Sequence, residues 1–135
     1  MFSVPRAKLN KNIGILWVIF QNLSYFCICS KHNKTIVSIE QPDKYAPEGT
    51  PAELGVIMLP DYYNLGIATA ATKYICNYAF ENHLFNKINA TTFEKNTAMR
   101  HILEKLGFHY DGTKHNSVIK NNIIHSECFY SLDNI

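Results

Sequence analysis

The chain has 135 residues, 47% hydrophobic and 18% charged, with 13 lysines and arginines against 11 carboxylates for a formal charge of +2. That length fits one domain able to bury a core without disulfides or metal, and the composition is that of an ordinary globular protein. The basic residues are scattered rather than blocked, which argues against nucleic acid as a partner.

Residues 1–12 are polar and are expected to be loose. Arg6, Lys8 and Lys11 then precede the apolar run Ile13 to Phe20 (IGILWVIF), which superficially reads as a signal peptide. The run is shorter than the roughly 20 residues a bilayer span takes, and no small-residue cleavage site follows it. It is expected to be a core element, strand or short helix, because its period fits both. No membrane partner and a cytoplasmic location follow from that reading. Tyr25 to Ser30 and Thr35 to Glu40 read as a hairpin around the polar turn His32-Asn33-Lys34. Cys27, Cys29 and His32 form a Cys-x-Cys-x-x-His string that invites a metal reading, but no fourth ligand stands at a recognisable spacing. Free thiols in a reducing compartment are the expectation for Cys27, Cys29, Cys76 and Cys128, and no metal.

Gln41 to Pro51 carries Pro42, Pro47, Gly49 and Pro51 and is a loop by composition. Glu53 to Leu59 (ELGVIML) is a strand ended by Pro60. Ile67, Ala71, Tyr74, Ile75, Tyr78 and Ala79 then recur at helical spacing, which predicts a helix over about 66–82. Lys87 to Thr92 is strand-like. A helix over 97–106 buries Met99, Ile102, Leu103 and Leu106, with Asn96 as its N-cap and Gly107 as its stop. Phe108 to Tyr110 starts a strand, Asp111-Gly112 turns, and Ser117 to Lys120 pairs with His125 to Leu132 around Asn121-Asn122. The order β-β-β-α-β-α-β-β is mixed α/β with a mostly antiparallel sheet.

The centre of the chain is the passage from the strand through Gly66 into the first helix. A helix start leaves several backbone N–H groups without partners, and with the helix dipole they suit a phosphate. Small side chains at Gly66, Ala68 and Thr69 let a ligand come close to the backbone.

These residues resemble the GNAT acyltransferases, within them the Rim-type branch that acetylates ribosomal-protein N-termini. The pyrophosphate motif of that family falls on Tyr63 to Ala68, and Tyr63, Gly66, Ala68 and Thr69 fit its Rim-type version. A second segment, Asn96 to Phe108 (NTAMRHILEKLGF), is similar to the family's Asn…Leu-Glu-Lys-Leu-Gly-Phe helix and stands at the right separation. The resemblance runs from about Tyr25 to the C-terminus. It implies a GNAT fold, α/β (α+β mixed), with a mostly antiparallel central sheet and flanking helices, N-terminally shortened. Residues 1–24 would be the shortened segment and 25–135 the acetyltransferase domain.

The activity implied is transfer of an acetyl group from acetyl-CoA, as cosubstrate, directly to a primary amine on a protein N-terminus or a small molecule. The resemblance puts backbone N–H groups around Asn64, Gly66, Ile67, Ala68 and Thr69 on the pyrophosphate. It puts Ile57, Met58 and Leu59 beside the pantetheine arm, Asn96 towards the cofactor, and Lys73 or Arg100 near the 3′-phosphate. Glu53 matches an acidic residue able to accept the ammonium proton. The usual donors to the leaving thiolate are replaced by Met99 and Leu103, and the position of a further carboxylate by Asn116 and Ser117. His125 matches a family histidine and reads as structural. A degenerate, non-catalytic acyl-CoA-binding GNAT module and a polyamine acetyltransferase are the alternatives, and a homodimer is left open.

Overall fold

The computed structural model describes the backbone of residues 2–10, 14–21, 24–29, 35–41, 46–47, 49–58 and 66–134, with side chains from residue 37 onward apart from those of 58 and 67. The described elements are β1 (Phe2–Asn10), β2 (Gly14–Gln21), β3 (Ser24–Cys29), β4 (Thr35–Glu40), β5 (Ala52–Met58), α1 (Ile67–Glu81), β6 (Lys87–Phe93), α2 (Thr97–Lys105), β7 (His109–Lys120) and β8 (Ile123–Asp133). Among the described residues they build one eight-stranded sheet in the order β1-β2-β3-β4-β5-β6-β8-β7. All pairings are antiparallel except β5 with β6. That one is parallel because α1 lies between the two strands in sequence and returns the chain to its starting end.

The core is set by alternation. Val37, Ile39, Ala52, Leu54, Ile88, Ala90, Cys128 and Tyr130 are buried and, by register, share one face of the sheet. Helix α1 lies on that face across β3, β4 and β5. It presents Ala71, Ile75, Cys76 and Ala79, spaced three or four apart, to the core. Helix α2 closes the same face further along, with Leu103 fully buried and Met99 and Leu106 packed against the cluster. Both helices therefore cover one side. The other side carries Ser38, Glu40, Glu53, Gly55, Ile57 and Asn89.

Helix ends follow local chemistry. Asn96 caps α2, its side chain accepting from the Met99 N–H at 3.1 Å. At the far end Gly107 has φ +90, and the Phe108 N–H reaches back to the Leu103 carbonyl at 2.9 Å, a Schellman stop. Helix α1 ends in the same motif, with the Leu84 N–H on the Ala79 carbonyl at 2.9 Å. Here the left-handed residue is His83, at φ +55, where glycine is the usual occupant. Replacing His83 with glycine is expected to raise unfolding free energy by about 1 kcal/mol, read by urea denaturation, because it removes the left-handed strain of a side-chain-bearing residue. Asn121 and Asn122, at φ +52 and +61, form the two-residue turn that joins β7 to β8.

Two expectations change and one left open is decided. Residues 2–10 are a strand, pairing with β2 from Phe2↔Phe20 to Asn10↔Gly14. Pro5 falls at a register shift between Val4 and Arg6 on a sheet edge, where a missing N–H breaks no ladder bond. From Gly14 onward the apolar run is a strand, one of the two forms its period allowed, paired on both sides. Asp111-Gly112 is no turn: β7 continues through it with a register irregularity between Tyr110 and Gly112, and Gly112, at φ +132, absorbs the bend. The turn around His32 lies outside the described residues.

Candidate active site

The parallel ladder between β5 and β6 is short. Only Ala52↔Ile88 and Glu53↔Asn89 are in register; beyond them the strands diverge. β5 stays paired with β4 as far as Met58, and β6 stays paired with β8 as far as Phe93. The divergence therefore opens a V whose inner edges are the backbone of residues 54–58 and 90–93. Those inner edges have no strand partner among the described residues. Ile57 stands on this stretch and is 68% exposed, unusual for a large apolar side chain in a central strand.

The first helix begins beyond the open end of β5. Gly66 is its N-cap, with φ +73 and ψ 6, a left-handed conformation that glycine adopts without penalty. A Cβ placed there would meet nothing within 4 Å, so conformation rather than crowding calls for glycine. No side chain caps this end, and the first turn holds no acidic residue. Among the described residues nothing accepts from the N–H groups of Ile67, Ala68 and Thr69, which stand at the positive end of a 15-residue dipole. Ala68 is buried at 7% exposure and Thr69 half-buried, so small side chains line the approach. These features fit a phosphate-bearing cosubstrate.

Glu53 sits at the vertex of the V, half-buried. Burial pushes its carboxyl above the usual glutamate range, and a hydrogen bond from the Asn89 side chain pulls partly the other way. Glu40 of β4 faces it in register and is exposed. Two positions along, a Cβ on Gly55 would stand 2.9 Å from the Ser38 Oγ, which explains a glycine inside the strand.

Asn96 is exposed at the start of α2, with its Oδ1 committed to the helix cap. Arg100 is turned inward. Its Nε donates to the Tyr130 hydroxyl at 3.0 Å and a terminal nitrogen to the Glu94 carbonyl at 3.3 Å, while Tyr130 donates to Glu104 at 3.3 Å. The guanidinium also lies 5.9 Å from the Tyr110 ring centroid. Arg100 is thus tied into the α2–β8 contact. Lys73 is exposed on α1. Leu103 is 0% exposed and Met99 packs against the core, so neither position offers a proton donor. Asn116, at φ +49, donates its N–H to the Ser126 Oγ at 3.0 Å, and Ser117 donates to Glu127 at 2.8 Å. The His125 ring stacks on Phe93 with centroids 4.2 Å apart, in keeping with a packing role.

Cys76 and Cys128 are free and buried, and desolvation pushes the Cys76 thiol up to about 12. Leu59, Tyr63, Asn64 and His32 lie outside the described residues, as do the side chains of Met58, Ile67, Cys27 and Cys29. Among the described residues no group of three or more His, Cys, Asp or Glu could hold a metal, and no helix is long and apolar enough to cross a membrane. Sequence reasoning passed over Asn89. Its one signal was an asparagine, which strands disfavour, within an otherwise strand-like segment.

Residues 5–109 match the family described as the acetyltransferase (GNAT) domain. The chain is 26% identical over 127 residues to the uncharacterized N-acetyltransferase YnaD of Bacillus subtilis strain 168, covering 94% of this chain and 71% of that protein. Its fold is similar to ribosomal-protein-S5-alanine acetyltransferase from Vibrio fischeri, with TM-score 0.72, 18% identity, and 84% of this chain and 63% of that one covered. It is similar also to RimL, a ribosomal L7/L12 alpha-N-protein acetyltransferase solved in complex with coenzyme A. There the TM-score is 0.71 at 14% identity, covering 82% of this chain and 60% of that one. The chain thus spans less than two thirds of either solved enzyme, and at these identities the likeness speaks to fold alone. The two-helix face, the V and the uncapped glycine start of α1 agree with the family match: this chain belongs to the GNAT acetyltransferases.

Proposed function

We propose that the chain is an acetyl-CoA-dependent N-acetyltransferase of the Rim type, acting on a primary amine of a protein N-terminus or small molecule in the cytoplasm. The observation that carries this reading is the V between β5 and β6, which opens towards the uncapped N-terminus of α1 at Gly66. Acetyl-CoA supplies the activated acetyl group. The N–H groups of Gly66, Ile67, Ala68 and Thr69, with Asn64 before them, hold its pyrophosphate. The unpaired inner edge of β5 at Ile57 and Met58 takes the pantetheine arm as an added strand would be taken, and the family resemblance assigns Leu59 to the same arm. Asn96 borders the far side from the start of α2.

Glu53 accepts the proton of the incoming ammonium. Its raised pKa brings the carboxylate closer to the working pH, which favours general-base action. A thiol has an ordinary pKa of about 8.5, so it can leave as thiolate without a dedicated donor. The apolar Met99 and Leu103 favour a second reading, a cofactor-binding module that has lost turnover. Acetylation of any member of an amine panel would refute that reading.

Thermal unfolding with and without acetyl-CoA, on this chain and on Gly66→Glu, tests the proposal. At about 100 times its dissociation constant the cosubstrate should add about 2.7 kcal/mol and move the midpoint by several degrees. The glutamate places a negative charge at the anion site and should abolish the shift. A folded wild type with no shift refutes cofactor binding.

A further inference from the structure

We propose that Asn89 is a positioning residue for Glu53: it holds the carboxylate at the point where β5 and β6 part, oriented towards the acceptor amine. The inference rests on the reading of Glu53 as the proton acceptor.

The argument starts from register. Glu53↔Asn89 is the last pair of the parallel ladder, so the two side chains leave adjacent strands side by side on one face. It is the face away from α1 and α2, since the alternate residues Ala52, Leu54, Ile88 and Ala90 point into the core. Beyond this pair the parallel ladder ends. Asn89 is therefore the last register partner that β6 offers to β5, and it stands beside the Glu53 carboxylate at the vertex. Its amide donates to Glu53, which favours the ionised, proton-accepting form against the burial that disfavours it.

The surroundings leave this task to Asn89. From β4, Glu40 faces Glu53 and is itself a carboxylate, able to accept but not to donate when ionised. From β8, Ser131 is the register partner of Asn89 on its other side, but it is hydrogen-bonded to Asp111. Asp111 in turn is held by His109 at 2.7 Å, with Lys87 adding a weaker attraction. Asn89 thus stands between a polar cluster already satisfied within β7 and β8 and the Glu53 carboxylate at the vertex of the V. An apolar side chain here would leave Glu53 without its donor.

The test follows the Glu53 carboxyl by carbon-detected magnetic resonance, identified by its loss in Glu53→Gln, alongside the pH dependence of kcat/KM for an amine the wild type acetylates. Asn89→Val removes the donor with a residue that suits a strand, Asn89→Ala repeats the removal, and Asn89→Gln keeps an amide. Valine and alanine should each move the Glu53 titration upward by roughly one pH unit. They should move the acidic limb of kcat/KM by the same amount, a rate about tenfold lower at any pH below both limbs. Glutamine should restore both values towards wild type. An unmoved Glu53 titration in a folded Asn89→Val protein overturns the proposal, and so does a moved titration without a moved limb. Absence of turnover in the wild type refutes the acetyltransferase reading, and with it the catalytic purpose assigned to Asn89. The carboxyl titration then still reports whether Asn89 holds Glu53, so the two failures are told apart.

Discussion

Glu53→Gln is expected to lower kcat/KM for acetyl transfer by about 10²–10⁴-fold, the usual contribution of a positioned general base. Glutamine keeps the shape of the side chain and a hydrogen bond to Asn89, so the strands at the vertex should stay in register. What it loses is the ability to take a proton. The same substitution should act on stability in the opposite sense. Burial raises the carboxyl's pKa in the folded state, so its contribution to stability is fully present at low pH and is lost as pH rises through that raised value. At neutral pH the ionised carboxylate is therefore the less favourable occupant, and Glu53→Gln should unfold at a slightly higher temperature than wild type. Below the ordinary glutamate range the difference should disappear. Initial-rate kinetics paired with melting curves at several pH values check both halves. A slow but stabilised variant is the signature of a residue held at a cost for function; a slow and destabilised one would mark Glu53 as structural.

Leu103→Ala carries the largest expected effect on stability. Leu103 is 0% exposed, lies in the same core cluster as Phe108 and Tyr130, and supplies the carbonyl that stops α2. Truncation removes apolar contacts and leaves a cavity between α2 and the sheet, a change that costs about 2–5 kcal/mol. For a domain that draws on a total of roughly 5–15 kcal/mol, this is a large share. Denaturant titration should show an earlier midpoint with little change in slope. Because α2 also carries Asn96 and the Arg100–Tyr130–Glu104 bonds, its loosening should weaken acetyl-CoA binding as well. A Leu103→Met exchange, nearly matched in volume, should cost under about 1.5 kcal/mol and leave binding unchanged. That contrast identifies the loss as one of packing.

The helix that carries the cofactor motif was legible because its signals are local. Gly66 and the period of Ile67 to Ala79 predict α1 within a residue of its observed limits, and Asn96 with Gly107 does the same for α2. Caps and stops are decided by groups within five residues of each other, and so is the turn at Asn121-Asn122. Two single-glycine positions were read differently for the same reason. Gly107 follows a strong helical period and is a stop in both sequence and structure. Gly112 follows Asp111 in a pattern that suits a turn, yet its partner across the sheet, Phe129, turns it into an irregularity within a continuous strand.

The sequence by itself determined the mixed α/β class, the strand–glycine–helix corner, the helix limits and the family. Tertiary structure alone decided that residues 2–10 join the sheet, because nine mostly polar-alternating residues with a proline become a strand only when β2 offers its edge. It alone decided that Arg100 turns inward, because its partner Tyr130 stands 30 residues away on another element. It alone set Glu53 beside Asn89 at the parting of two strands, since that pairing depends on where the crossover through α1 returns the chain. Contacts between distant residues are fixed by packing and register, and neither leaves a mark on the short stretch of sequence around each residue.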